Sequence, residues 1–348
     1  MTESKHIAVI GAGMAGITCA RTLMQAGHKV TVFDKSDGVG GRMATRATAF
    51  GTFDHGAQYF TVRDPRFAQA LATAPGLCKP WSANTVRVLD AAGRVTAAGL
   101  PAREPHWVPT PGMNALVSRW ALPLAYNHDV ELETRVTGIE RDALDGKRWQ
   151  LRTQGPLDSQ HVFSGFDAVA LALPAAQALE LLKASPQTPP NLAHALNKVD
   201  VAPCWTLMLA FPQAMQPGLS ALGPQWNAAR STHHRIAWLA RESSKPGRDP
   251  VERWTVQASP GWSREHLEDS PLRVQAKLHK AFSEVTGIRA EPSHAVTHRW
   301  RHAQTLAPLG KSHLWSGRDH LGLCGDWCLG HRVENAFVSG LELALAML

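Results

Sequence analysis

The stretch HIAVIGAGMAGITCARTLMQAGHKVTVFD, from His6 to Asp34, decides how this chain is built. His6–Ile10 is a short apolar run that reads as a buried strand. GAGMAG follows and sets Gly11, Gly13 and Gly16 in G-x-G-x-x-G spacing. Ile17, Ala20, Leu23 and Met24 then recur on one face, which predicts a helix to about Ala26. Gly27 ends it, KVTVF (Lys29–Phe33) is a second strand, and Asp34 stands at its end. A strand, a glycine turn, a helix and a strand closed by an acid make the spacing a dinucleotide fingerprint rather than a chance glycine cluster. Gly11 allows the tight turn, Gly13 lets backbone approach a pyrophosphate, and Gly16 lets helix and strand pack closely. The first helical turn, Met14 and Ala15 included, turns free N–H groups and a partial positive charge toward phosphate. Asp34 accepts from a ribose diol, and its charge opposes a 2′-phosphate in this pocket.

The next residues separate FAD from NAD. DKSDGVGGRMATR, from Asp34 to Arg46, brings a second glycine turn at Gly38, Gly40 and Gly41, followed by Arg42. It adds backbone donors and a guanidinium for the pyrophosphate, which a simple NAD site does not need. Lys35 and Met43 flank this turn as further cofactor contacts. Here the chain resembles the FAD-dependent amine oxidase superfamily, in which a Gly-Gly-Arg segment follows the first βαβ unit. FDHGAQYFTVRD (Phe53–Asp64) comes next. Gly56 and Ala57 are small enough for backbone to approach a flat ring, and Gln58 and Tyr59 offer polar and aromatic groups beside it.

GVGGRMATR, DHGAQYFTVRD, HRWRHAQ (His298–Gln304) and GDWCLGHRVENAFVSG (Gly325–Gly340) together resemble the renalase family and its bacterial relatives. The resemblance implies a flavoprotein that takes a hydride from 2- or 6-dihydro isomers of NAD(P)H to flavin N5. The electrons pass to O2, giving H2O2 and NAD(P)+. It implies catalytic roles for Gln58, Tyr59, Trp300 and Arg301, with Trp300 as a wall over a planar substrate and Arg301 facing an anionic group or supporting the flavin loop. It places Val136 at the adenine, and Gly325 and Asp326 at the ribityl chain. Arg332, Val333 and Glu334 open the last helix, whose positive end faces flavin O2 and N1. The tyrosine that the superfamily's amine oxidases carry in this motif is matched by Arg332, which disfavours a cationic amine. The tethering cysteine of monoamine oxidases has no counterpart before Leu321, so FAD is expected to be non-covalent. Amine oxidation and a flavin-binding protein without turnover remain the alternatives.

Composition sets the outer limits. The 348 residues are 44% hydrophobic and 19% charged, enough for about two globular domains. A net charge of +7 without basic runs favours a small anionic substrate, together with O2, over nucleic acid. No apolar run reaches the ~18 residues of a membrane helix, and IAVIGAGMAGI lacks a cleavage site for a signal peptide. Five cysteines without framework spacing suggest reduced thiols in the cytoplasm. Cys324 and Cys328 lack a second ligand pair for zinc and the spacing of a redox dithiol, so no metal is expected.

The expected fold class is α/β: a discontinuous Rossmann-type FAD-binding domain (1–75, 110–190 and 290–348) and a substrate domain on a mixed β-sheet (76–109 and 191–289). PQTPPN (Pro186–Asn191) is a plausible junction. Strands are expected at Thr85–Leu89 and Val95–Ala98 around the turn DAAGR, at Val130–Leu132 and Val136–Ile139, and within Phe166–Pro174. The second sheet is expected to use Cys204–Phe211, Arg235–Leu239 and Trp254–Gln257. Helices are expected from Met113, within Pro271–Glu284 and over Val333–Met347. The oligomeric state stays open.

Overall fold

The structure is a computed structural model and describes residues 3–81, 86–97, 104–127, 129–215, 224 and 226–348. Its first sheet follows from the opening stretch. His6–Ile10 pairs in parallel with Lys29–Phe33 on one side and Ala168–Leu171 on the other. Val130–Glu131 extends one edge in parallel, and Leu321–Leu323 the other. Leu314–Ser316 closes the sheet antiparallel, making six strands. Alternate residues sort to its two faces, as strand geometry requires. Ile7, Val9, Val30, Val32, Ala168 and Ala170 pack in one cluster with the helices Met14–Gln25, Asn114–Tyr126 and Val333–Met347. Ala8, Ile10, Phe33, Val169 and Leu171 pack in another with the helices Ala175–Lys183 and Pro190–Leu196. A three-stranded antiparallel sheet, Arg135–Arg141, Trp149–Gln154 and Gln160–Phe166, covers the rest of that face through Ile139, Trp149 and Leu151.

The helix Pro190–Leu196 begins inside the proline-rich PQTPPN, because proline suits the first turn of a helix. Its Leu192 and Leu196 are buried with Leu181 and Leu182 of the preceding helix.

The second sheet is mixed and has seven strands, in the order His294–Ala307, Asp200–Phe211, Glu252–Ala258, Ile236–Arg241, Ala228–Ser231, Val86–Leu89 and Val95–Ala97. Ala228–Ser231 and Val86–Leu89 run parallel, and the remaining pairs are antiparallel. The expected hairpin around DAAGR forms with Val88 opposite Ala97, while Thr85 and Ala98 lie outside the described residues. HRWRHAQ sits within the strand His294–Ala307. Trp205, Leu207, Leu209, Trp254 and Val256 face the helix Pro271–Thr286 and bury Val274, Leu278 and Phe282. The opposite face turns toward the Rossmann sheet, with Met208 and Ala210 against Phe53. Among the described residues no helix is long and apolar enough to cross a membrane.

Candidate active site

The two sheets enclose one large cavity of about 1870 Å³. One end is the glycine turn. Gly11 has φ +111°, and a Cβ there would sit 2.5 Å from the Ala172 carbonyl oxygen, so only glycine fits without strain. At Gly16 a Cβ would lie 1.8 Å from the Gly11 carbonyl oxygen, the close helix–strand contact expected from the spacing. Gly13 is different: a Cβ there meets nothing within 4 Å, because that side is open cavity. The helix Met14–Gln25 begins without a side-chain cap, so its first N–H groups are left for a ligand, and Met14 and Ala15 line the cavity. The second glycine turn meets the first. Gly40 donates its N–H to the Ala12 carbonyl at 2.9 Å and bridges Gly13. Gly41 and Met43 line the same wall.

Asp34 and Lys35 border the cavity. The Asp34 carboxylate accepts from the backbone N–H of Ala12 at 2.7 Å and of Ser36 at 2.8 Å, which fixes the acid beside the glycine turn. Val136 lines the same end from the strand Arg135–Arg141. Two residues expected to meet a cofactor separately are joined to each other. Arg42 donates to both oxygens of Asp326, at 2.5 and 3.0 Å, and Thr305 donates to Asp326 at 3.1 Å. Gly325 lines the cavity next to this pair, its N–H held by the Ser339 hydroxyl at 2.9 Å. Arg332 and Val333 line the cavity where the last helix starts, again without a side-chain cap. Glu334 is buried instead and accepts from the N–H groups of Arg63 (2.5 Å) and Asp64 (2.7 Å), tying the last helix to the segment after Tyr59.

Gly56 and Ala57 lie against Arg42, whose carbonyl accepts from the Ala57 N–H at 2.8 Å. Tyr59 stacks on His106 with centroids 3.8 Å apart, and Trp238 lies 5.7 Å from it. Trp300 stacks on His55 at 5.2 Å and donates its indole N–H to the His55 carbonyl at 2.8 Å. His298 stands edge-on to both rings. Burial, then the neighbouring charges of His298 and Arg46, hold the His55 imidazole down to about 4. Burial and Arg46 hold His298 down to about 4 as well. Arg301, next to Trp300 on the strand, also borders the cavity. Its guanidinium pairs with both oxygens of Glu268, at 2.6 and 3.0 Å.

Gln58 makes its contacts inward. Its amide nitrogen donates to the carbonyls of Asp54 and Gly56, and its oxygen accepts from Lys245 at 3.3 Å. Asp54, Glu242, Lys245 and Arg248 form a buried charge cluster that reading the sequence missed. Burial raises the Asp54 carboxyl, but Lys245, Arg248 and the Met113 N–H outweigh it and bring it to about 2. Burial raises Glu242, with Lys245 opposing. Their signal was faint, because ESSKPGR (Glu242–Arg248) has the composition of a solvated turn. Arg46, His106, Arg230 and Trp238 were also missed, and all line the cavity.

Burial raises the thiol of Cys328 to about 12, and Cys324 is raised as well, chiefly by its Cys19 neighbour. Burial pushes Cys78 up to about 12 and Cys204 to about 11, and all five cysteines are free. Among the described residues no group of three or more His, Cys, Asp or Glu could hold a metal.

Paired glycine turns, an acid at the end of the second strand and two uncapped helix starts line one cavity that has room for an extended dinucleotide, and the fold with this cavity defines the class of FAD-binding oxidoreductases. Residues 9–74 match an NAD(P)-binding Rossmann-like domain, and residues 97–348 match the flavin containing amine oxidoreductase family. The second match spans most of the chain, and the chain belongs to that family, with FAD as its cofactor. Its fold is similar to cyclohexylamine oxidase from Brevibacterium oxydans IH-35A (TM-score 0.73, 14% identity, 99% of each chain). It is also similar to putrescine oxidase bound to putrescine (TM-score 0.72, 13% identity, 99% of each chain). Among curated proteins, L-amino-acid oxidase of Naja atra is 56% identical over 44 residues, 13% of this chain and 9% of that enzyme. A 4,4'-diapophytoene desaturase of Staphylococcus haemolyticus is 45% identical over 58 residues, 17% of this chain and 12% of that protein. These curated matches therefore span a small fraction of the relatives' own length.

Proposed function

We propose that this FAD-dependent oxidoreductase oxidises an anionic dihydronicotinamide dinucleotide that carries its hydride at the 2 or 6 ring position, as renalase-like enzymes do. The balance is one dihydro-NAD(P), one O2 and one proton in, and NAD(P)+ and H2O2 out. The observation that carries this reading is the cavity wall beyond the glycine turns. It combines stacked neutral rings, Tyr59 on His106 with Trp238 beside them, and the arginines Arg46, Arg230 and Arg332. Such a wall suits a flat heterocycle bearing phosphates and opposes a cationic amine. The cavity also exceeds the roughly 300–1,000 Å³ of a site for a single drug-sized ligand, leaving room for a substrate beside the cofactor.

Bound FAD, held without a covalent link, supplies the hydride acceptor and the route to O2. The protein's own part is positioning. Gly13, Met14, Ala15 and the Gly40–Arg42 turn would hold the diphosphate, and Asp34 would hold the ribose diol. Asp326, with Arg42 clamped to it, would meet the ribityl chain, and the backbone N–H groups that open the last helix at Val333 would meet the pyrimidine edge. Tyr59 and Trp300, which both line the cavity, would flank the reacting ring and position it for hydride transfer. No strong base is needed, because the aromatic pyridinium is the driving product. Burial holds the cavity histidines His55 and His298 down to about 4 and lowers His106 and His302 too, which weakens them as bases toward an ammonium group.

The test is anaerobic mixing of the holoprotein with borohydride-generated dihydronicotinamide isomers. The visible flavin band is expected to bleach within seconds. A band that persists with these isomers but bleaches with mono- or polyamines overturns the reading in favour of amine oxidation. Arg230→Gln and Arg332→Gln are each expected to raise KM roughly tenfold with kcat little changed, the worth of one charge-assisted hydrogen bond of about 1.5 kcal/mol.

A further inference from the structure

We propose that Lys245, just behind the cavity wall, is a positioning residue that locks the segment Asp54–Gln58 in register against the cofactor ring through Gln58 and Asp54. This goes beyond the substrate assignment and holds for any substrate of the flavin.

Lys245 follows the short turn Glu242–Ser244 of the seven-stranded sheet, and its side chain is fully buried. Its ammonium reaches Asp54 Oδ2 at 3.0 Å, Glu242 Oε1 at 3.1 Å and Gln58 Oε1 at 3.3 Å. Three donors thus meet three acceptors, the whole capacity of the group. The contact to Gln58 decides which way that amide points. With its oxygen on Lys245, its nitrogen must face the carbonyls of Asp54 and Gly56, where it donates. Those two carbonyls bracket His55, whose own carbonyl takes the Trp300 indole N–H.

The same segment is gripped by one face of the strand Glu252–Ala258. Arg253 donates to the Phe50 carbonyl at 2.8 Å, and Gln257 to the Gly56 carbonyl at 2.7 Å. Thr255, between them, donates to Glu242 at 2.6 Å. Arg248 adds a 2.8 Å bond to Asp54. From the first half of the chain, Thr45 and the Met113 N–H bond the other oxygen of Asp54, at 2.7 and 2.9 Å. Asp54 is therefore the point where both halves of the molecule are pinned together, one oxygen for each. Lys245 is the member that carries this pin over to Gln58 and hence to Gly56. Without it the Gln58 amide is free to turn, and the Gly56 carbonyl loses one of its two anchors.

The experiment compares Lys245→Met, the double variant Lys245→Met/Glu242→Gln, and Gln58→Leu. The readouts are Tm of the apoprotein, FAD dissociation constant, and the position and shape of the visible flavin band. Lys245→Met leaves Glu242 facing Asp54 without the ammonium between them, so a low Tm alone says only that the cluster is structural. The double variant removes the Lys–Glu pair together and is expected to recover most of the Tm. FAD affinity is still expected to be about tenfold weaker, with a shifted band, because Gln58 has lost its partner; misplacement by about 1 Å costs up to ~100-fold in rate. Gln58→Leu removes no charge and is expected to reproduce the same weakening and band shift. Wild-type affinity and band in the double variant overturn the proposal. So does a wild-type affinity and band in Gln58→Leu, which alone decides if the double variant fails to fold. Either result leaves the dihydronicotinamide assignment untouched, since none of these readouts involves substrate.

Discussion

Replacing Gly13 by valine is expected to leave a folded apoprotein that no longer binds FAD, whereas Gly16→Val is expected not to fold. The two glycines stand in one turn and fail for different reasons. A Cβ at Gly13 enters open cavity, and the residue already has an extended φ of −80°, so the protein loses little. The side chain then occupies the space a diphosphate must approach, and affinity is expected to fall by at least ~100-fold, the worth of about 3 kcal/mol. At Gly16 the added carbon lies 1.8 Å from the Gly11 carbonyl oxygen, which is backbone and cannot swing aside. The helix must move off the sheet and uncover Ile17 and Ala20, which are fully buried. Circular dichroism melts of both apoproteins with FAD titration of the soluble ones separate the cases. A Gly13→Val protein that binds FAD normally would place the diphosphate elsewhere.

Acid is expected to unfold the protein in two stages. His55 is held at about 4, against 6.5 for a free imidazole, first by burial and then by His298 and Arg46. His298 is held at about 4 by burial and Arg46. The unfolded chain therefore binds protons that the folded one refuses, and stability falls as pH drops from about 6.5 to about 4. Both imidazoles push the stability curve the same way, so it is expected to slope downward over that window. Asp54 has the opposite charge logic. Its carboxyl, ordinarily at 3.8, is held at about 2 because Lys245 and Arg248 outweigh the burial that would raise it. Its contribution is present above 3.8 and is lost as pH falls through about 2. Urea unfolding of the apoprotein from neutral to about pH 4 reads the first stage. His298→Phe is expected to flatten that slope, and an unchanged slope would remove the histidine pair as its cause.

The Rossmann half was legible because its signal is local. The glycine spacing, the apolar helix face of Ile17, Ala20 and Leu23, and the acid at Asp34 all lie within one short stretch, and each constrains backbone by itself. The last helix, Val333–Met347, was equally plain from its apolar repeat. The substrate half carries no comparable motif. Its strands could be found from hydrophobic runs, yet their two faces could not. Arg253, Thr255 and Gln257 alternate with Trp254 and Val256 as in a half-exposed strand, but both faces are covered. The polar face meets a segment some two hundred positions earlier, a fact no window of sequence contains. Asp54 shows the same limit. It was quoted inside DHGAQYFTVRD, but its cationic partners stand in ESSKPGR, and nothing local says that this turn is buried. Arg301 and Trp300 were read together and both border the cavity, but the pairing of the Arg301 guanidinium with Glu268 was not legible, since Glu268 lies in another segment.

The contact between Gly340 and Ala15 carries a consequence for biosynthesis. A Cβ on Gly340 would lie 2.1 Å from the Ala15 carbonyl oxygen, so the closing helix seats directly on the opening one, beside the cofactor turn. Met14–Gln25 is synthesised well before Gly340. Through nearly the whole interval, the nascent Met14–Gln25 helix must wait with that flank bare, and Asp326 is not yet available to Arg42. The cofactor turn therefore gains its last packing partner only after both segments have been made.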